Sequence, residues 1–212
     1  SVGFMVSTDN KEVVGYKFGF AWKGVLLLLI LACAIYPIMG THDRIQSRFN
    51  PLPNTLNGLD YMKSATYMFD DGRGVESLRS DHDAVIWIRN NIEGSPVMLE
   101  GQGQLYRTLH NRVSIYTGLP TVLGWDNHQG QQRGYSRSIL ERKRDIETIY
   151  SSSDIDRVMS LIKKYDITYI YIGGLEKHYY KAEGLKKFGE NKRLFSLLYF
   201  NDEVSIYKID DQ

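Results

Sequence analysis

The sequence predicts an α/β protein with one transmembrane helix, followed by a small, partly parallel sheet with flanking helices and a C-terminal hairpin. Three observations support this fold class. A long apolar run without charged residues lies near the start of the chain. Two later segments each join an amphipathic helix to a short strand. Two β-like runs then flank Asn201-Asp202, between Leu194 and Ile209.

The apolar run is assigned to a membrane. No residue from Gly24 to Thr41 carries a formal charge, and these eighteen residues would rise about 27 Å as a helix. That length is close to the ~30 Å hydrocarbon core of a bilayer. Trp22 and Tyr36 lie where interfacial aromatic residues are common. Residues 18–40 are therefore predicted to form a transmembrane helix.

Two other interpretations of this run stay open. A buried core helix would satisfy the same hydropathy, although so long an uncharged run is unusual in a core. A cleaved signal segment is the second alternative, and the sequence around Cys33 loosely resembles a lipoprotein cleavage site. However, the apolar run continues past Cys33, which argues against cleavage there.

The lysines before the helix predict its orientation. The positive-inside bias assigns residues 1–17 to a cytoplasmic flank of the cell membrane, which leaves the large domain outside the cytoplasm. Residues 41–80, which include Asn50-Pro51-Leu52-Pro53-Asn54, are predicted to be an irregular membrane-proximal connection. Residues 81–212 are then the extracytoplasmic α/β domain.

The α/β domain is predicted from two helix-to-strand units. In the first, Ser80 is the expected N-cap of a helix that Gly94-Ser95-Pro96 ends before the strand Val97-Met98-Leu99-Glu100. In the second, a cap at Ser153-Asp154 precedes a helix and the strand at 168–172. Two such units favour a partly parallel sheet.

Composition narrows the possible functions. The formal net charge is +1, which does not fit a nucleic-acid-binding protein with a clustered basic surplus. A single cysteine excludes an intrachain disulfide. No metal motif is present, because the histidines lack ligand spacing, and no cofactor is predicted.

A dinucleotide-binding loop is the first motif to consider, since Gly101 and Gly103 follow a predicted strand. Tyr106 and Arg107 occupy the space where a third glycine should allow close helix–strand packing. The glycines are therefore interpreted as a turn at the end of the strand.

The segment from Thr117 to Gly134 is the main candidate for ligand binding. It is dense in aromatic, amide and charged groups of the kind that hold a sugar or a sugar phosphate. The candidate substrate-binding residues are Trp125, Asp126, His128, Gln129, Gln132 and Arg133. A buried polar network that fixes loops to the sheet would use the same residue types, and composition does not separate the two.

Glu100 and Glu176 complete the candidate set. Each follows a predicted strand, and open α/β sheets bind ligands at the carboxyl ends of their strands. The alternative for Glu176 is a solvated helix start. No residue of the chain is assigned a catalytic role.

Two runs of sequence resemble a known family. The residues from Arg112 to Val122, followed by Gly124-Trp125-Asp126, His128-Gln129 and Gln131-Gln132-Arg133, resemble the C-terminal region of the "YYY" polytopic membrane-protein family. The run Tyr169 to Gly173, with Tyr179-Tyr180, resembles its later signature. In that family further aromatic residues often stand where this chain has Asn127 and Gly130.

The resemblance implies a glycosyltransferase of the C superfamily. Such proteins have many membrane helices, which here would lie upstream in the same protein, and a presumed catalytic acid in an early loop that this chain does not include. They use a polyprenyl-phosphate sugar and a glycan acceptor outside the cytoplasm. The resemblance therefore implies that the soluble domain helps to bind one of these substrates. The alternative is a non-catalytic, membrane-anchored structural or interaction domain.

Overall fold

A computed structural model describes residues 13–49, 55–69, 71–102, 109–134 and 137–210. The chain forms two units, divided between Asn54 and Thr55. The first contains a single long helix, and the second is a mixed α/β domain. This confirms the predicted fold class of an apolar helix followed by a small mixed sheet with flanking helices.

The first unit is helix α1, Val13–Phe49. Its 37 residues correspond to a rise of about 55 Å. The stretch Gly19–Gln46 is long and apolar enough to cross a membrane, and none of it is buried within the structure. Leu28, for example, is 68% exposed. These leucines are therefore not core residues of the folded protein.

Helix α1 extends beyond the 18–40 range at both ends. Residues 41–49 are helical and not irregular as predicted. Pro37 lies inside the helix and does not end it. Proline removes only one backbone donor, and apolar helices tolerate it when the flanking turns are well formed. The Asn50–Asn54 run lies outside the described residues.

The remaining part of the predicted connection is folded. Strands β1, Thr66–Met68, and β2, Val75–Ser77, pair in an antiparallel hairpin after a short 3₁₀ turn at Asp60–Lys63. Gly72 and Gly74 adopt positive φ between the strands, which side chains disfavour. Leu59 and Met62 are buried against Leu78 and Val85, so this segment belongs to the domain core and is not a free linker.

The domain contains a four-stranded sheet in the order β3-β4-β6-β5. Strands β3, Val97–Leu99, and β4, Ile167–Ile172, are parallel, as the two helix-to-strand units predict. Strands β5, Phe195–Phe200, and β6, Ser205–Ile209, form the predicted C-terminal hairpin, and β6 pairs antiparallel with β4.

Helices cover both faces of this sheet. In chain order the helices are α2 Arg79–Asn91, α3 Arg112–Thr117, α4 Asp126–Arg133, α5 Arg137–Ser151, α6 Ile155–Lys164, α7 Gly174–Tyr179 and α8 Ala182–Glu190. Helices α2 and α3 pack against one face of the sheet, and α5, α6 and α8 pack against the other.

The two predicted helix caps have different outcomes. Asp154 is the N-cap of α6, and its side chain accepts a hydrogen bond from Arg157 N at 3.1 Å. The cap at Ser80 is wrong, because α2 begins at Arg79 and its N-cap is Leu78, two residues earlier, without a side-chain hydrogen bond. Leu78 is buried, so packing fixes the start of this helix.

Candidate functional site

Six of the eight candidate residues lie on or beside helix α4. Trp125 is extended at the N-cap, and Asp126 lies in the first turn, where a carboxylate favours the positive end of the helix dipole. Arg133 lies in the last turn, and Gly134, with φ of 75°, follows it. This helix is not predicted from the sequence, because its residues form no apolar stripe.

Direct contacts fix the start of helix α4 to the domain. Trp125 Nε1 donates to the carbonyl oxygen of His110 at 3.0 Å. Lys143 of α5 donates to Asp126 Oδ2 at 2.6 Å. A Cβ on Gly124 would lie 2.6 Å from Gln129 Nε2, so glycine allows the amide to fold back over the chain. The first turn of α4 is thus held in a defined position.

Exposure increases along the same helix. The residues from Trp125 to Gln129 are half-buried, whereas Gln132 and Arg133 are exposed. His128 lies edge-on to Trp125, with ring centroids 6.3 Å apart, and its Nε2 is 3.0 Å from Gln132 Nε2. Indole, imidazole, amide and guanidinium groups therefore lie along one partly open surface. We call the six candidate residues of this surface, Trp125, Asp126, His128, Gln129, Gln132 and Arg133, the polar segment.

Glu100 and Glu176 are not on this surface. Both are fully buried, 0% exposed, although each follows a parallel strand as predicted. Glu176 lies in helix α7, so the alternative of a solvated helix start is also wrong. Their carboxylates bind protein groups instead.

Glu176 is held by Arg112 and by the backbone. Arg112 Nη2 lies 2.8 Å from Glu176 Oε2, and Arg112 Nε lies 2.5 Å from Asp81 Oδ1. Gly101 N and Gly173 N donate to the two oxygens of Glu176 at 2.9 and 2.8 Å. Burial opposes ionisation of Glu176, yet Arg112 and the two backbone donors hold its pKa below the ordinary value.

Glu100 has a different environment. Its carboxylate accepts hydrogen bonds from Val113 N at 2.9 Å and Ser114 N at 3.1 Å. Burial is the largest influence and raises the pKa of Glu100 to about 7, although nearby Arg112 favours the ionised form. Glu100 joins strand β3 to helix α3 from within the core.

Tyr171 completes this cluster by donating its hydroxyl to Asp81 Oδ1 at 2.5 Å. We call Asp81, Glu100, Arg112, Tyr171 and Glu176 the buried ion cluster. Sequence reasoning missed its centre, Arg112, because its partner Glu176 is 64 positions away. The sequence feature that could have indicated close packing here is the glycine after each parallel strand, Gly101 after β3 and Gly173 after β4. A Cβ on Gly101 would lie 2.9 Å from Glu176 Oε1, and one on Gly173 would lie 2.7 Å from Arg112 Nη2.

The glycine loop after strand β3 lies only partly within the described residues. The absence of a side chain at Gly101 allows the Glu176 carboxylate to approach the backbone closely. Gly103, Tyr106 and Arg107 lie outside the described residues. Among the residues with described positions, no three His, Cys, Asp or Glu side chains are grouped so that they could hold a metal ion.

Comparison with known proteins gives little further information. No protein-family model matches the chain. No curated protein matches it either. Among solved structures, the chain is similar to the C-terminal globular domain of an oligosaccharyltransferase from Archaeoglobus fulgidus, at 13% identity and a TM-score of 0.39, covering 60% of this chain and 95% of that domain.

Proposed function

We propose that this chain is the C-terminal portion of a polytopic, glycosyltransferase-like membrane protein. Its α/β domain lies outside the cytoplasm and helps to bind a glycan or a lipid-linked sugar phosphate. The polar segment forms the binding surface. Trp125 stacks on a sugar ring, and Arg133 meets a phosphate or carboxylate group.

The observation that carries this proposal is the exposure of the polar segment. Gln132 and Arg133 are exposed and the first turn is half-buried. A network that only braced the fold would have its polar groups sealed inside, as in the buried ion cluster. A rigidly held aromatic face next to exposed amide and guanidinium groups is suited to a polar ring with attached charge.

The membrane part of the proposal rests on helix α1. Its apolar side chains are exposed over a length sufficient to cross a bilayer. Leaving so many leucines in water is costly, at roughly 25 cal/mol for each Å² of apolar surface. A lipid environment removes this cost and anchors the domain to the membrane.

Alanine substitution tests the binding role. Trp125→Ala and Arg133→Ala in the complete membrane protein are expected to lower glycan transfer by about tenfold each, the loss expected for one charge-assisted hydrogen bond or one stacking contact. Gln131→Ala, exposed on the same helix, is the matched control and should keep full transfer. Thermal unfolding of each variant checks that the fold is intact. Unchanged transfer in both variants would refute the binding role.

The second candidate is a membrane-anchored structural or interaction domain without a substrate site. The buried ion cluster favours it, because Glu100 and Glu176 serve the fold instead of a ligand. The edge strand β5 also exposes Leu197 and Phe200, at 53% and 65%. This candidate predicts that Trp125→Ala and Arg133→Ala change neither transfer nor glycan affinity.

A further inference from the structure

A cleft separate from the polar segment lies beyond the carboxyl ends of the parallel strands. Gln102 follows β3, Tyr180 follows β4 and α7, and Gln102 N donates to the Tyr180 hydroxyl at 2.8 Å. These two residues form one wall, and helices α5 and α6 form the others. The cleft has a volume of about 630 Å³, within the range of small-molecule sites.

The charged groups of this cleft are mostly basic. Lys143 and Arg144 reach it from α5, and Arg157 reaches it from the first turn of α6. Glu147 is the acidic residue among its lining side chains. Because Lys143 is paired with Asp126, the two arginines and Glu147 leave a formal surplus of one positive charge around a half-enclosed volume.

The two arginines are available to a ligand. Within the part of the chain that the structure describes, Lys143 is paired with Asp126, whereas Arg144 and Arg157 take part in no ion pair. Both are exposed. Guanidinium groups on two different helices, facing one volume, suit the oxygens of a phosphate, which accept paired N–H donors.

We propose that this cleft binds a phosphate group between Arg144 and Arg157, carried either by a soluble sugar phosphate or by a lipid-linked one. The proposal deepens the proposed function and rests on it for the sugar. Tyr179, which is half-buried, also lines the cleft, and its ring packs against those of Phe69, His110 and His178. Lys143 lines the cleft and is paired with Asp126, so the cleft lies next to the polar segment.

The site is tested by titration of the whole chain in phosphatidylcholine nanodiscs, whose lipids carry no net charge. The probes are inorganic pyrophosphate, a hexose 1-phosphate and the same free hexose. The binding of each probe is measured by calorimetry. Pyrophosphate and the hexose phosphate should bind, and the free hexose should bind at least about tenfold more weakly. The double variant Arg144→Gln/Arg157→Gln should weaken pyrophosphate binding by at least about tenfold.

Two matched variants separate a built site from general charge attraction. Arg89→Gln/Arg193→Gln removes the same charge from exposed positions outside the cleft and should leave the affinity nearly unchanged. Glu147→Gln removes the acidic group from the cleft and should tighten pyrophosphate binding about threefold or more. No pyrophosphate binding, or equal losses in the two arginine pairs, would overturn the proposal.

Discs that contain a polyprenyl phosphate distinguish the two sources of the phosphate. Competition between that lipid and pyrophosphate assigns the site to a lipid-linked donor, and binding of the soluble probes without competition assigns it to a soluble sugar phosphate. The result is independent of the Trp125 and Arg133 experiment. Loss of phosphate binding would refute the phosphate site in the cleft alone. Unchanged glycan transfer in the Trp125 and Arg133 variants would refute the binding role of the polar segment but not the phosphate site.

Discussion

Replacing Arg112 with methionine is expected to destabilise the α/β domain by about 3–5 kcal/mol. Arg112 is fully buried, and so is Glu176, while Asp81 is 3% exposed. The substitution keeps an apolar side chain of similar length but leaves both carboxylates without their cation. The cost comes from uncompensated buried charge rather than from a cavity.

The distances support a loss at the upper part of that range. Arg112 lies 2.5 Å from Asp81 and 2.8 Å from Glu176, so one change breaks two short ion pairs. Tyr171 and the backbone donors of Gly101 and Gly173 remain and offset part of the loss. A triple variant, Asp81→Asn/Arg112→Met/Glu176→Gln, removes both charges with the cation and should recover a large part of the stability.

The assay is urea unfolding of the whole chain in detergent micelles, followed by tryptophan fluorescence at pH 7 and pH 5. Arg89→Met, an exposed arginine on α2, is the matched control and should lose less than about 0.5 kcal/mol. The deficit of Arg112→Met should be smaller at pH 5, because burial without Arg112 favours protonation of the Glu176 carboxylate, which removes its unpaired charge. If Arg112→Met unfolds like Arg89→Met, the buried ion cluster does not need its cation for stability.

Three further predictions concern single residues. The folded pKa of Glu100, about 7, lies above its ordinary value of 4.5, so its contribution to stability is lost as pH rises between these values. In Glu100→Gln this pH-dependent loss, up to about 3 kcal/mol, should be absent from unfolding free energies measured across pH 4 to 8. Gly173→Ala brings a Cβ to 2.7 Å from Arg112 Nη2 and should cost about 1–3 kcal/mol in urea unfolding, whereas Gly58→Ala meets nothing within 4 Å and should be neutral. Asp154→Ala removes the N-cap of α6 and should lower the unfolding free energy by about 1 kcal/mol, while Asp154→Asn should retain most of it.

The elements that the sequence predicts are those with a local signal. In α6 the apolar residues Val158 and Ile162 recur at helical spacing and are buried as expected. The hairpin around Asn201 was also visible, because a turn separates two β-like runs. Such patterns depend on the period of a helix or strand and need no knowledge of distant residues.

The candidate site was only partly predictable for the same reason. Residue types identified the polar segment, but its helix was not predicted because Asp126–Arg133 has no apolar stripe. The start of this helix is fixed by contacts with Lys143 and His110, which lie elsewhere in the chain. The burial of Glu176 was missed because it depends on Arg112, which the fold brings close from another part of the chain. The basic cleft was missed because its cations come from two helices.

The membrane anchor and the function proposed with it depend on lipid covering helix α1, and Cys33 tests this most directly. Cys33 is exposed in the structure, so in water a thiol reagent would reach it. In intact membrane vesicles a membrane-impermeant maleimide is expected to leave Cys33 unmodified, and to modify it after detergent unfolding. In a Cys33→Ser background, Asp202→Cys in the exposed hairpin turn should react from the extracytoplasmic side. Rapid modification of Cys33 in intact vesicles would contradict the membrane anchor and the function built on it.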